Sequence, residues 1–180
     1  NRSMSNLFQK LEMEAFRAGI TPKTKESIAW FRKKAQQLGK ITGGQIMNDE
    51  LLSLKARPNE SPFGNMYMFF YDPKHKATLP YYDRFPLIIM LGPAKGGFMG
   101  LNLHYLHPVT RAKALDAFLG GGGVPGKYVK AAQKHYLHPH VRSRFALVEE
   151  PEWEIATFLP TAQWEKKSAN YIYGETRRKM

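Results

Sequence analysis

The chain of 180 residues contains no cysteine. This absence excludes disulfide bonds, zinc knuckles built on paired cysteines and catalysis by a thiolate. A packed apolar core must therefore stabilise the fold, and 43% hydrophobic residues with 13% aromatic residues suffice for one. The length predicts a single domain, with room for a small appendage.

Long apolar runs are missing as well. The longest extends from Pro86 to Leu91, whereas a membrane-spanning helix needs about 20 apolar residues. The N-terminal stretch "NRSMSNLFQKLEMEAF" is amphipathic and lacks the apolar centre of a signal peptide. We therefore expect no membrane span.

Acidic residues are scarce relative to basic ones. The sequence has 15 Asp and Glu against 27 Lys and Arg, which gives a formal net charge of +12. A positive field of this size on a small chain favours a polyanionic partner, such as nucleic acid or an anionic membrane surface. A basic surface that only confers solubility is the alternative.

The motifs of common catalytic and nucleotide-binding sites are absent. There is no GxSxG elbow, and the glycine run at residues 120–123 lacks the spacing and hydroxyl of a phosphate-binding loop, which favours a flexible hinge. No HExxH pattern accompanies the histidines, so we expect neither a metal nor another cofactor. The histidines considered as metal ligands are His104, His107, His135, His138 and His140.

Asp72 and Asp83 flank one loop and could approach each other, as the acidic groups of two-metal nucleases do. The loop lacks a third acidic residue and is rich in cations instead. Asp72 before Pro73 is typical of a turn, and Asp83 is expected to fix the loop by hydrogen bonds. We expect a protein that is not an enzyme, with a nuclease centred on these aspartates as the alternative.

The patterns predict three regions. Residues 1–60 form a helical N-terminal region, residues 61–160 a β-rich core domain with inserted helices, and residues 161–180 a basic aromatic arm. In the first region, helices are predicted near residues 5–19, 21–39 and 48–56. The second of these carries an apolar face of Ile28, Phe31, Ala35 and Leu38.

Three strands are predicted at "FGNMYMFFYD", "FPLIIMLGP" and "GGFMGLNLHYL", with Gly100 marking a bulge or a close backbone approach. Helices are predicted at "PVTRAKALDAFLG" and "GKYVKAAQKHYL". Strands at "VRSRFALVEE" and "EWEIATFLP" would close a barrel. The predicted fold is therefore α+β, with a small SH3-like β-barrel core, N-terminal helices, inserted helices and an extended basic C-terminal arm.

Basic side chains occur beside tyrosines, and together they could neutralise several phosphates. The tyrosines could stack on bases at a frayed end, or they could simply pack at the rim of the core. No recognition helix or RNP signature is present, so base-specific reading is not predicted. Lys127, Lys130 and Lys134 have the spacing of one helical face, and Arg142 and Arg144 that of one strand face. The candidate DNA-binding residues are Lys74, Lys76, Arg84, Arg111, Lys113, Lys127, Lys130, Lys134, Arg142, Arg144, Arg177 and Arg178.

The segment from Met66 to Leu119 contains "LPYYDRFPL" and "GLNLHYLHP", and a predicted Arg-bearing helix follows the second motif. Near the end of the chain stands the stretch "NYIYGETRRK". In the order of these motifs the chain resembles a group of tailed-bacteriophage (myovirus) virion proteins labelled DNA end protector proteins. The resemblance covers about a third of the chain clearly. It supplies no catalytic residues.

The resemblance implies a structural protein of the virion that lies near the portal, neck or tail. There it would contact the end of packaged double-stranded DNA, and other virion proteins, and shield the end from host exonucleases. The protein would be found in the virion, and in the host cytoplasm during assembly. The alternative is a neck, tail or baseplate structural subunit with no direct DNA role.

Overall fold

The computed structural model describes residues 25–38 and 61–180. The helices predicted near residues 5–19 and 48–56 lie outside the described residues. In the described part, the helices are α1 (Lys25–Leu38), α2 (Pro108–Ala117), α3 (Gly126–Ala132), α4 (Trp153–Phe158) and α5 (Ala169–Arg178). None of these helices is long and apolar enough to cross a bilayer.

Strands in the described residues form two antiparallel sheets. The larger sheet has five strands in the order β5-β4-β3-β1-β6, and β2 pairs with β7 in a second sheet. The strands are β1 (Met66–Met68), β2 (Tyr82–Asp83), β3 (Leu87–Ala94), β4 (Gly97–Asn102), β5 (Gln133–Leu137), β6 (Ala146–Val148) and β7 (Trp164–Glu165). The predicted α+β class is confirmed.

Both faces of the larger sheet are buried. Met66 and Met68 face a core that α1, α2 and α4 complete, whereas Tyr67 and Phe69 face an aromatic cluster on the other side. In that cluster the ring of Phe69 lies 4.8 Å from the ring of Phe145, centroid to centroid. Burial on both faces explains why β1 and β3 are almost continuous apolar runs rather than alternating ones.

The larger sheet is open, so the predicted barrel is not formed in the part of the chain that the structure describes. The second strand that was predicted to close it is helix α4 instead. Trp153, Ala156 and Thr157 are its buried residues, and their spacing of three and four is that of a helix. A capping box between Glu149 and Glu152 precedes it: each side chain accepts a hydrogen bond from the other's backbone amide.

The predicted extended arm is also wrong in its conformation, since residues 169–178 form helix α5. Ser168 caps its N-terminus by accepting a hydrogen bond from the Tyr171 amide at 3.3 Å. Ile172, Tyr173 and Thr176 are buried, so this helix is packed on the body of the protein. The division of the chain into three regions remains a prediction.

The described part of the second predicted N-terminal helix is α1, but its buried face differs from the prediction. Lys34 is buried and Ala35 is exposed. The Lys34 ammonium donates to the Leu147 carbonyl at 2.8 Å and pairs with Glu152 at 2.8 Å. A lysine can lie on a buried face when its stem packs and its charge is paired, which residue polarity alone does not reveal.

Two glycines let β4 lie close to its neighbours. A Cβ atom at Gly97 would come within 1.7 Å of the Tyr136 carbonyl oxygen of β5, and one at Gly100 would meet the Ile88 side chain at 2.8 Å. The neighbours of Gly100 are side chains, and the register of the β3–β4 pair shifts next to it, between Met90 and Gly92, so the bulge predicted near Gly100 is present. The close backbone approach occurs at Gly97, where it was not predicted. The glycines at residues 120–123 lie in an exposed turn after α2, and their hinge role remains a prediction.

Candidate functional site

A cleft of about 360 Å³ lies between the loop at residues 71–83 and strand β5. We call it the tyrosine cleft, because five tyrosines line it: Tyr71, Tyr81, Tyr82, Tyr105 and Tyr136. Its basic lining residues are Lys74, His75, Lys134, His135 and Lys179. The structure thus brings a stretch rich in tyrosine and lysine, which the sequence singled out, together with residues from two distant segments.

Lys134 is the basic residue most enclosed by the cleft. Its ammonium nitrogen lies 4.2 Å from the centroid of the Tyr105 ring, and no carboxylate of the described residues pairs with it. Burial, together with the charge of Lys179, lowers the pKa of Lys134 to about 8. Its charge is therefore poorly solvated and not neutralised, so an anion entering the cleft would be stabilised there.

Lys134 does not share a helical face with Lys127 and Lys130, contrary to the prediction. Helix α3 ends at Ala132, and Gln133 has the extended backbone conformation that begins β5. Lys127 and Lys130 are exposed on α3. The change from helix to strand occurs without Pro or a C-terminal Gly, so the usual sequence signals of a helix end are absent.

The loop wall of the cleft is held by Lys166. Its ammonium donates to the carbonyl oxygens of Lys76 and Leu79, each at 2.7 Å. Lys166 has a φ of 77°, a left-handed conformation that is uncommon for a residue other than glycine. This conformation is maintained because the ammonium satisfies carbonyls that the turning loop leaves without partners.

Asp72 orders the beginning of the same loop. Its carboxylate pairs with Lys76 at 2.9 Å and lies 3.6 Å from Arg142. The Lys76 amide donates to the Pro73 carbonyl at 3.3 Å, so the turn predicted at Asp72-Pro73 is confirmed. Asp72 is half-buried at the surface, and its contacts are those of a structural residue.

Asp83 lies at the inner end of the loop and is buried. Its carboxylate accepts hydrogen bonds from the Phe85 amide at 2.9 Å, the Gln163 amide at 3.0 Å and the Asn102 side chain at 3.1 Å. Burial by itself raises the pKa of Asp83, but the His104 ring and these donors outweigh it, so the pKa lies below its ordinary value. The prediction that Asp83 fixes the loop by hydrogen bonds is confirmed.

His104 extends this network. Its Nδ1 lies 2.6 Å from Asp83, and its Nε2 lies 2.9 Å from the Thr161 hydroxyl. Burial lowers the pKa of His104 although Asp83 opposes the change, so the ring is neutral at pH 7. These partners assign the proton to Nδ1, which donates to Asp83, while Nε2 accepts from Thr161.

An Asp–His–Thr series of this kind is the arrangement that activates a nucleophile in hydrolases, and no sequence motif indicated it. However, all three side chains are buried, and the space beside His104 and Thr161 is about 20 Å³. That space holds about one water and no substrate. The series ties together β2, the turn after β4 and the segment before β7.

The nuclease alternative gains no support from the described residues. Asp72 is paired with cations at the surface, and Asp83 is occupied by four donors inside the protein. Within residues 25–38 and 61–180, no group of three or more His, Asp or Glu could hold a metal ion.

Arg111 is not placed to contact DNA, because it is buried. Its guanidinium donates to the carbonyl oxygens of Leu103 and Leu106, each at 2.7 Å, and to that of Thr157 at 2.9 Å. A further hydrogen bond reaches the Tyr173 hydroxyl at 3.1 Å. This candidate is therefore an internal connection between α2, α4 and α5.

The remaining candidates lie at the surface, with different partners. Arg84 pairs with Glu165 at 3.3 Å, and Arg178 pairs with Glu175 at 3.0 Å. Arg142 donates to the Pro139 carbonyl at 2.6 Å, in an extended segment outside the regular strands. The exposed candidates are Lys74, Lys76, Arg84, Lys113, Lys127, Lys130, Arg144, Arg177 and Arg178.

Helices α3 and α5 contact each other and carry several of these cations. We define the basic face as Lys127, Lys130, Lys134, Arg177 and Lys179. Lys134 lies just after the end of α3, and Lys179 lies just after the end of α5. These two residues line the tyrosine cleft, so the basic face includes part of the cleft wall.

Lys179 and His135 line the cleft but were not among the candidates. Lys179 reaches the cleft because α5 packs on the body of the protein. The sequence predicted an extended arm there, so Lys179 was not expected near the cleft. His135 was considered among the histidines that could bind a metal. Its position beside Lys134 on a strand carries no distinguishing signal in the sequence.

Comparison with known proteins places the chain in a family. The sequence profile of the family described as phage T4 terminal DNA protecting protein matches residues 4–122, about two thirds of the chain. No curated protein and no solved structure matches. The match confirms the resemblance drawn from residues 66–119, while the likeness of the chain's ending, which lies beyond residue 122, remains a prediction. The chain belongs to the family of the phage T4 terminal DNA protecting protein.

Proposed function

We propose that this protein binds the end of packaged double-stranded DNA in the virion and shields it by occlusion. The family supports this function, since its described member protects terminal DNA. The observation that carries the proposal is the basic face, where Lys134 and Lys179 adjoin a cleft while Lys127 and Lys130 are exposed beside them. Among the described residues, no acidic group forms an ion pair with Lys134 inside the cleft.

Occlusion requires binding energy and bulk but no reaction. Cations of the basic face would neutralise backbone phosphates and release their counterions, which supplies affinity without reading the sequence. The folded body would then cover the terminal base pair that an exonuclease must reach. The enclosed Asp–His–Thr series fits this function, because it stabilises the body and offers a substrate no access.

The decisive experiment compares open and closed ends on the same sequence. One duplex has two open ends, and a matched duplex has both ends closed by hairpin loops. We expect the protein to bind the open duplex more tightly and to slow its digestion by a double-strand exonuclease. Equal affinity for both duplexes would contradict the proposal.

Equal affinity would instead favour a neck, tail or baseplate subunit whose positive charge faces other virion proteins. Copy number in purified virions then separates the two functions further. One or two copies fit a protein bound at a DNA end, whereas a ring of subunits fits a structural role. During assembly the protein would be in the host cytoplasm.

A further inference from the structure

We infer that the tyrosine cleft receives the terminal nucleotide of one DNA strand, with its 5′-phosphate between Lys134 and Lys179. This inference rests on the proposed function, since it names what part of a DNA end the protein holds. The cleft would therefore distinguish an end from the interior of a duplex by the chemistry of the last nucleotide.

The size of the cleft limits its occupant. A volume of about 360 Å³ lies near the lower limit of small-molecule sites, which is roughly 300 Å³. A cleft of this size accepts one nucleotide and excludes a stacked duplex. Unpairing a nucleotide costs least where it is already frayed, so the end of a strand can enter more readily than an interior base.

The charges of the cleft fit a terminal phosphate better than an internal one. Lys134 and Lys179 both line the cleft, and burial, with a further contribution from the charge of Lys179, lowers the pKa of Lys134. A phosphate monoester carries about −1.5 to −2 charges at pH 7, whereas an internal phosphodiester carries one. The acidic residue Asp83 also lines the cleft, but its carboxylate oxygens are occupied by four donors. A terminal phosphate would therefore neutralise both lysines.

The tyrosines supply a surface for the base. Tyr81 and Tyr82 are half-buried, so part of each ring remains accessible within the cleft. Tyr71, Tyr105 and Tyr136 are buried and form the cleft's inner lining. Aromatic rings bind bases by stacking, and this contact tolerates any base. Such tolerance suits a protein that must bind an end whatever its sequence.

The test uses a DNA hairpin with a single open end, prepared with either a 5′-phosphate or a 5′-hydroxyl. Fluorescence anisotropy with the full chain measures both dissociation constants at one salt concentration. We expect the phosphorylated end to bind about tenfold more tightly, as for a hydrogen bond to a charged group. Lys134→Met should remove this preference.

Lys130→Met is the matched control, because Lys130 lies on the exposed surface of α3 rather than in the cleft. It should weaken binding of both hairpins equally and keep the preference. Lys179→Met provides a second cleft variant in which an exposed residue is changed, so that folding is not at risk; it should reduce the preference. Circular dichroism verifies that each variant is folded.

Free deoxycytidine 5′-monophosphate should compete with the phosphorylated hairpin for the cleft of the unchanged protein. It should not compete with the hairpin for Lys134→Met. Equal binding of the two hairpins by the unchanged protein would overturn the inference, as would a preference that survives in both cleft variants. The proposed function fails separately. If the protein bound open duplexes more tightly than closed ones but bound both hairpins equally, the proposed function would stand. The assignment of the terminal nucleotide to the cleft would then be wrong.

Discussion

Asp83 joins three separate parts of the chain through one carboxylate. It accepts hydrogen bonds from Phe85 between β2 and β3, from Asn102 at the end of β4 and His104 just after it, and from Gln163 before β7. A buried carboxylate is tolerable only while donors surround it, because they replace the hydration that burial removes. The donors in turn depend on the carboxylate, since without it they would lack an acceptor.

Replacing Asp83 by Ala should lower the free energy of unfolding by about 3–5 kcal/mol, since three buried donors and the partly buried Gln163 amide lose their acceptor. Urea denaturation measures the loss. Asp72→Ala is the control, because its ion pairs are partly exposed and should contribute about 1 kcal/mol or less. Similar losses in the two variants would show that the buried network does not stabilise the fold as described.

Lys134 should make end binding sensitive to pH above neutrality. Its pKa of about 8 means that the charge is lost well below the range in which an ordinary lysine titrates. A bound phosphate favours the charged form, so binding takes up protons and the dissociation constant rises as pH increases from 7 to 9. The charged or titratable neighbours in the cleft are Lys74, His75, Asp83, His135, Lys179 and the five tyrosines that line it.

Measurements of the dissociation constant at pH 7, 8 and 9 test this expectation. In Lys134→Met the dissociation constant should rise less between pH 7 and pH 9 than in the unchanged protein. Any rise that remains would come from the neighbouring groups. A variant with the same pH dependence as the unchanged protein would show that Lys134 stays clear of the bound DNA.

At the scale of secondary-structure elements, local patterns predicted β1, β3, β4 and α2 well. Strands β1 and β3 are almost continuous apolar runs, and Gly or Pro residues mark the ends of all four elements. Helix α4 was interpreted as a strand because its short sequence offers Trp153, Ile155 and Thr157 as an alternating set. Only the structure shows that burial instead follows Trp153, Ala156 and Thr157. Six residues are too few for either period to prevail.

The candidate site was predictable only where it is continuous in sequence. Lys74 and the three tyrosines of residues 71–82 lie within one loop, so their clustering was evident. Lys134 and Lys179 enter the cleft from elements that are distant along the chain, and the positions of both depended on elements assigned incorrectly. Burial of Arg111 could not be foreseen, since its partners are backbone carbonyls that every sequence has.

Helix α5 should contribute to global stability as an integral element. Ile172 is fully buried, so Ile172→Ala should lower the free energy of unfolding by about 2–5 kcal/mol through lost burial and a cavity. Asn170→Ala, at an exposed position of the same helix, should change it by about 0.5 kcal/mol or less. Chemical denaturation compares the two. If Ile172→Ala were as stable as the unchanged protein, α5 would be a dispensable arm.

For the whole molecule, the net charge of +12 predicts association that weakens steeply as salt increases. What matters is where the charge lies. The basic face is next to β5, at one edge of the larger sheet, while α1 packs against β6 at the opposite edge. The same number of charges removed from the two edges should therefore have different effects on DNA binding.

Removing Lys127 and Lys130 together should reduce the slope of log affinity against log salt by about 2, because two phosphate contacts are lost. The control removes Arg32 and Lys33 from α1, which are exposed and carry the same total charge. It should leave the slope nearly unchanged. Equal slopes in the two double variants would indicate that DNA experiences only the total charge and not a defined face.

The contacts of Lys166 have a kinetic consequence. Three carbonyls of the loop at residues 76–79 accept from its ammonium, so the cleft wall is already in place before any ligand arrives. A preorganised wall removes the ordering cost that a mobile loop would add to binding. Capture of a DNA end should then require no slow closing step, and its rate should be set by diffusion and electrostatic steering. A protector that acts in this way can reach a newly exposed end as quickly as a nuclease that competes for it.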